Sequence, residues 1–285
     1  MMFASSFFST LSSLKNNHSP ESPLYKLVNE LVKSSIGTTG FAKTDSGFVS
    51  FGEYGDLCFP FYSFGNITSL DLFGLDELIL FSFYYCNRSR YSNILDIGGN
   101  IGLHSILMNK LGWSVSTYEP DPLHCNILAR NIQLNQCTNI LVHSKAVYNE
   151  NKAIEFVRVE GNTTGSHIQG MKAMPYGNLS SFAVDCVDIN ELIRDIDFIK
   201  LDAEGAEGKI LTGISPSYFD KIDIMAEIST IDNANIVFEF YNSLNSFNIF
   251  SQKTGWQRVN YLEDLPTSHR EGSVFISSKD SVPFT

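Results

Sequence analysis

From Asn93 onward the chain alternates short aliphatic segments with amphipathic ones, and this rhythm constrains the fold more than any other feature. "NILDI" (93–97) reads as a strand, "IGLHSILMNKL" (101–111) as a helix and "WSVSTYEP" (113–120) as a strand. "DPLHCNILARNIQLN" (121–135) follows as a helix, with Asp121 as its N-cap and Pro122 at its first position. "NILVHSKAV" (139–147) reads as a third strand, and "AIEFVRV" (153–159) and "SSFAVDCV" (180–187) as two more. "DINELI" (188–193) opens with an Asp-x-x-Glu capping box. "IDFIKLD" (196–202) and "KIDIMAEIS" (221–229) are almost continuously apolar, the pattern of strands covered on both faces. "IVFEFYNSLNSF" (236–247) reads as a helix, and "FNIFSQ", "QRVNYL" and "GSVFIS" as late strands. Such alternation implies an α/β, Rossmann-like, doubly wound and mostly parallel sheet with helices on both sides.

Before Asn93 the signals are weaker. "SPLYKLVNELVKS" (22–34) is one helical candidate with Leu24, Leu27, Val28, Leu31 and Val32 on its apolar face. From Gly47 to Phe64, aromatics alternate with Gly and Pro and suggest a hairpin; they read as core rather than as a stacking lid. "LDELILFSFYY" (75–85) then reads as a helix leading into the core. Residues 1–46 therefore read as an N-terminal extension with one helix, and 47–285 as one domain of catalytic size.

Composition narrows the function. A net charge of −11 without a basic run argues against nucleic-acid binding, which relies on clustered Lys and Arg. Five scattered cysteines without a C-x-x-C pair argue against a disulfide framework or structural zinc. The first residues lack the basic and apolar regions of a signal peptide. The most apolar window, "ELILFSFYYC" (77–86), is too short to span a bilayer. The expectation is a cytoplasmic protein.

"DIGGNIG" (96–102) stands between a strand and a helix, where parallel sheets bind ligands. Gly98 and Gly99 read as letting the main chain approach a ligand, and Gly102 as letting the helix approach the strand. Glu119 ends the next strand about twenty positions on, where a carboxylate accepts both hydroxyls of a ribose. That pairing suits a nicotinamide nucleotide as well as S-adenosylmethionine. Asp96 near the cofactor's charged end and the absence of G-x-G-x-x-G spacing favour S-adenosylmethionine. No Tyr-x-x-x-Lys constellation for hydride transfer stands at a suitable place. A catalytically silent nucleotide-binding protein would keep the glycine turn and lose the acidic residues described below.

"ILDIGGNIGLHSIL", "YEPDP", "NIQLN", "SKAV", "VDIN" and "DFIKLDAEGAEGKILTGI" together resemble the FkbM-type methyltransferases over roughly Gly47 to Lys279. The resemblance implies a class I methyltransferase fold with a seven-stranded sheet whose last strand is antiparallel. It also implies S-adenosylmethionine-dependent O-methylation, with sugars or polyketide-type natural products as acceptors. Asp96, Gly98, Asn100 and Gly102, with Gly99 between them, would line the methionine side. Glu119 would take the ribose; Pro120, Asp121 and the segment Ser144 to Val147, including Ala146, would lie near the adenine. Gly99 stands where the family usually has alanine, and Gly208 where it has a larger residue.

Asp202, at the end of a buried strand, is expected at the cofactor and is the favoured general base for the acceptor hydroxyl. Glu204 and Glu207 follow it; Glu207 reads equally well as an ordinary acidic residue at a helix start. Asp202, Glu204 and Glu227 alternatively suit a divalent cation such as magnesium, the less favoured reading. His167, in the polar loop Glu160–Gly170, is a second candidate base. His104 reads as packing or hydrogen-bonding behind the cofactor, and His269 with Arg270 as surface in preference to a place near the acceptor; His18, His124 and His143 carry no assigned role. A sugar or glycan hydroxyl is the preferred acceptor, a polyketide or other small natural product the alternative.

Overall fold

The computed structural model describes residues 5–42, 48–160, 163–170, 178–244 and 247–284. The expected domain start at Gly47, and Gly161 and Asn162 of the polar loop, lie outside the described residues. The helices are α1 (Phe7–Ser13), α2 (Pro23–Ile36), α3 (Leu75–Cys86), α4 (Leu103–Lys110), α5 (Pro122–Leu134), α6 (Ile189–Leu192), α7 (Glu207–Gly213) and α8 (Ile231–Asn242). The strands begin with β1 (Phe48–Ser50), β2 (Asp56–Cys58), β3 (Asn93–Ile97), β4 (Ser114–Tyr118) and β5 (Ile140–His143). Next come β6 (Ala146–Tyr148), β7 (Lys152–Glu160), β8 (His167–Ile168) and β9 (Asn178–Asp188). The last are β10 (Phe198–Leu201), β11 (Asp223–Glu227), β12 (Asn248–Ser251), β13 (Gln257–Arg258) and β14 (Ser273–Ser277).

The main sheet has the order β13-β12-β14-β11-β10-β3-β4-β5. From β5 to β11 its strands run parallel, and β14 is antiparallel to both β11 and β12. The central strand β10 and its neighbour β11 are buried along nearly their whole length, as their unbroken apolar runs require. The eighth strand is the two-residue edge β13, one more than the seven implied by the resemblance.

Three sequence expectations differ from the structure. "NILVHSKAV" is not one strand: it breaks at Ser144 and Lys145, and β6 leaves for a second sheet. That four-stranded sheet, order β6-β9-β7-β8, takes up the segments expected to extend the main one. Its long β7–β9 pair is antiparallel from Lys152↔Cys186 to Glu160↔Asn178. The period-2 pattern of these segments specifies a strand without specifying its partner. The N-terminal region holds a second helix, α1, and the face of α2 is rotated from the expected one. Tyr25, Val32 and Ile36 are buried, whereas Leu27 is 59% and Leu31 58% exposed.

The N-terminal helices are built into the core. Phe8, at 0% exposure, packs on Phe51 and Tyr54. His18 is buried; its Nδ1 accepts from Trp256 Nε1 at 3.0 Å and its Nε2 bonds the Leu11 carbonyl at 2.9 Å. Burial pushes this imidazole down to about 4, so it stays neutral. Tyr25 Oη and Gln252 Nε2 donate to Asp76 at the start of α3, at 2.8 and 2.6 Å. One continuous apolar cluster runs from these helices through α3 and α4 to the sheet.

Candidate active site

The glycine turn follows β3 because its neighbours leave no room for side chains. A Cβ on Gly98 (φ +79°) would meet the Asp202 carbonyl oxygen at 1.8 Å. A Cβ on Gly99 would meet Thr117 Oγ1 at 2.0 Å, so glycine rather than alanine here matches the threonine of β4. Gly102 (φ +92°) caps α4 and faces Leu128 of α5. Close approach of protein to protein thus requires all three glycines. Of them, Gly98 also lines a cleft; Gly99 does not, contrary to the expectation that it faces a ligand.

That cleft, open to solvent on one side, holds about 600 Å³ of empty space, part of it open solvent, beyond the carboxyl ends of β3, β4 and β10. One end is formed by Gly98, Asn100, Asp202, Ala203 and Glu204. Glu119 and Pro120 stand midway, and the far wall includes His124, Ala146, Val147, Phe156, Thr163 and Ile168. The second sheet therefore roofs the site.

Glu119 is 6% exposed, and its two oxygens accept the amide N–H groups of Asn100 and Asp121, each at 2.8 Å. Burial raises its carboxyl to about 7 despite these bonds. Asn100 adopts φ +48° and lines the cleft; its Oδ1 has no hydrogen-bond partner among the described residues. A donor from a ligand would satisfy it.

Asp202 follows β10; its amide donates to the Ile97 carbonyl at 3.0 Å, and its side chain is 31% exposed at the cleft lip. Sequence reasoning passed over its neighbour Lys200, whose apolar surroundings in "IDFIKLD" hid it. The Lys200 side chain is 7% exposed, with Nζ 3.4 Å from Asp202 Oδ2, 3.3 Å from the Gly98 carbonyl and 4.0 Å from Asp96 Oδ1. Burial alone would discharge it; Asp202 and Asp96, with Glu77 and Glu227 behind them, more than reverse this and hold the ammonium charged. Glu204 (φ +51°) completes the lip. The turn is braced by Glu207, which accepts from the amides of Ala203 (2.9 Å) and Gly205 (3.0 Å) and from Asn233 Nδ2 (2.8 Å). Gly208 admits Asn233, whose Oδ1 a Cβ would meet at 2.6 Å, so the absence of a larger residue here lets the two elements approach closely.

Several expected site residues lie elsewhere. Asp96 is wholly buried beneath the turn, accepting from Ser105 Oγ, and does not line the cleft. Asp121 is also outside the lining. It caps α5 through the Leu123 amide at 2.8 Å and grips the Arg158 guanidinium of β7 with both oxygens. Burial opposes its ionisation, but the bonds from Arg158 and Leu123 win and hold its carboxyl below the usual range. Ser144 is exposed between β5 and β6, away from the lining that Ala146 reaches. His167 is 2% exposed with Nδ1 3.1 Å from the Gly165 carbonyl, and it too is absent from the lining. Alternation along a strand explains this: Ser166 and Ile168 face the cleft, so His167 faces away. His124, given no role from sequence, does line it; its Nε2 lies 2.9 Å from Thr163 Oγ1, and burial lowers its pKa. His104, expected behind the site, hydrogen-bonds Glu77 (2.9 Å) and Tyr84 Oη (2.9 Å) behind the turn.

Glu227 ends β11, and burial, then Asp202 and Glu204, raise its pKa well above the ordinary value. Among the described residues no group of three or more His, Cys, Asp or Glu is arranged to hold a metal ion. Among them, too, no helix is long and apolar enough to cross a membrane.

Comparison with known proteins bears on this geometry. A curated relative, methyltransferase 1 of Beauveria bassiana (strain ARSEF 2860), is 24% identical over 178 residues, 55% of this chain and 67% of that one. Among solved structures, precorrin-6y C5,15-methyltransferase from Geobacter metallireducens GS-15 aligns with TM-score 0.39 and 12% identity, covering 70% of this chain and 86% of its own. An O-methyltransferase from Bacillus cereus, solved in complex with SAH, aligns with TM-score 0.36 and 13% identity over 69% and 78%. The family model of the methyltransferase FkbM domain matches residues 96–251, from the carboxylate under the glycine turn to the end of β12. With more than half of its length inside that match, the chain belongs to the FkbM methyltransferase family and is an S-adenosylmethionine-dependent methyltransferase.

Proposed function

We propose that this methyltransferase acts on a hydroxyl of a sugar or glycan-type acceptor, with Asp202 as general base. S-adenosylmethionine, when bound, supplies a methyl group activated by positively charged sulfur. In this reading Gly98 and Asn100 hold its methionine end, Glu119 accepts from the ribose hydroxyls, and the largely apolar far end takes the base. The unpartnered Asn100 Oδ1 and the Glu119 carboxylate fit that ligand's donors.

One observation carries the catalytic assignment: Asp202 is a part-exposed carboxylate on the cleft lip, while His167 points away. A hydroxyl is a weak nucleophile until its proton is withdrawn, and a positioned base contributes about 10²–10⁴-fold. Lys200 holds Asp202 from behind, so its free edge faces the cleft. Among the possible hydroxylated acceptors, the sugar class rests on the family resemblance and on the hydroxyls of Thr163 and Ser166 in the wall.

The test is incubation with S-adenosylmethionine and a panel of monosaccharides, nucleotide sugars, glycans and hydroxylated polyketides, read by mass spectrometry. A methylated saccharide is the expected product; a methylated polyketide alone would replace the acceptor class. Asp202→Asn should bind S-adenosylhomocysteine normally and lose about 10²–10⁴-fold in turnover. Full activity in that variant would remove Asp202 as the base.

A further inference from the structure

We propose that the open edge of the main sheet, strand β5, pairs with β5 of a second copy of this chain, making a two-fold homodimer with one sheet running through both copies. β5 ends the sheet, and among the described residues it is bonded on one side only, to β4. On that side the Asn139 and His143 carbonyls accept the amides of Val115 and Glu119, at 2.9 and 3.1 Å. In a parallel ladder successive residues send their N–H and C=O groups to opposite sides. Ile140 and Val142 therefore present theirs to the open edge.

An open edge invites pairing with another chain, and proteins that stay monomeric blunt it with charge, proline or a very short strand. The opposite edge, β13, is blunted in this way: it has two residues, both exposed, one of them Arg258. β5 is not. Its sequence "ILVH" carries no proline, Lys, Arg, Asp or Glu, and Leu141 is 65% exposed, the most of any leucine or isoleucine among the described residues. The flanks point to the occupant. The stretch from Pro122 to Asn149 includes the edge itself and α5, which packs on it; it holds no Asp or Glu, while Arg130 and Lys145 are exposed. The chain as a whole carries a net charge of −11. Two such acidic molecules repel over most of their surfaces and least here. The spacing is also self-complementary. An antiparallel two-fold axis through Leu141 sets Ile140 opposite Val142 of the second copy, and each such pair exchanges both of its hydrogen bonds. Four bonds then satisfy every outward group of these residues in both strands. Leu141 meets the copy's Leu141 in the close pair between them, which takes both side chains out of water.

Sedimentation equilibrium of the full chain, loaded at about 1 to 100 µM, should show a dimer with a dissociation constant of about 10 µM or tighter. Val142→Pro deletes an outward N–H that bonds nothing within one copy, and an open edge tolerates proline there. Leu141→Lys sets like charges face to face across the axis. Each variant should weaken association at least about hundredfold. Thermal melts of dilute samples confirm that each is folded, and the lysine variant, at an exposed position, suffices should proline unfold the strand. Leu141→Cys tests the register, because a close antiparallel pair lies within disulfide reach. Mild oxidation should join position 141 of one copy to position 141 of the other, as identified by peptide mass spectrometry. A wild type that stays monomeric at the highest loading, a dimer that withstands either folded variant, or oxidised Leu141→Cys linked only through other positions would overturn the inference.

Discussion

Glu119 and Asp202 were legible in the sequence because each ends a strand whose direction the motif itself establishes, and a strand end in a parallel sheet points at the ligand. Lys200 was not legible, since a lysine inside an apolar strand is informative only once the carboxylates of Asp96 and Asp202 are seen around it. Glu119 carries a prediction of its own. Its two oxygens already accept amide N–H groups, so only the ionised form also accepts hydroxyls, and burial sets its empty-cleft pKa at about 7. S-adenosylhomocysteine affinity should therefore rise about five- to tenfold from about pH 6 to pH 8, and Glu119→Gln should bind weakly with a flat profile. For stability the sign is opposite. A raised carboxyl pKa contributes stability below the ordinary pKa that is lost as pH rises through about 7, which melts of the empty protein would register.

At the scale of elements, capping signals transferred well and sheet assignments poorly. Asp121 caps α5 ahead of Pro122, and Asp188 caps α6, as the sequence indicated. The capping box at α6 is shared with a third residue, however. Asn151 accepts the Asp188 amide and donates to Glu191, the two groups expected to bond each other. Glu207 was ambiguous from sequence between a dipole effect and a specific role, and the structure makes it the brace of the turn from Ala203 to Gly205. Glu207→Ala strands those amide donors and the Asn233 amide in a buried place. It should cost about 2–4 kcal/mol in chemical denaturation and weaken S-adenosylhomocysteine binding through the displaced lip. A variant as stable as the wild type would show the brace to be dispensable.

For the whole molecule, the expected N-terminal extension shares its core with the rest of the chain. Phe8, Leu11, Val32 and Ile36 join the cluster that includes Leu78, Phe81 and Phe83 of α3. Deleting residues 1–36 would uncover that apolar face, and the truncated protein should aggregate or melt at least about 10 °C lower in a thermal scan. A soluble truncation with unchanged melting would show the segment to be an accessory. By itself the sequence determined the α/β plan, the glycine turn and the two acidic strand ends, because these depend on patterns within a few tens of residues. The tertiary structure alone decided that β6 to β9 roof the cleft, that His124 and Thr163 line it, that Arg158 occupies Asp121, and that His167 turns away. Each of those depends on which strand pairs with which, and on which of two faces meets the cleft, a choice that local periodicity leaves open.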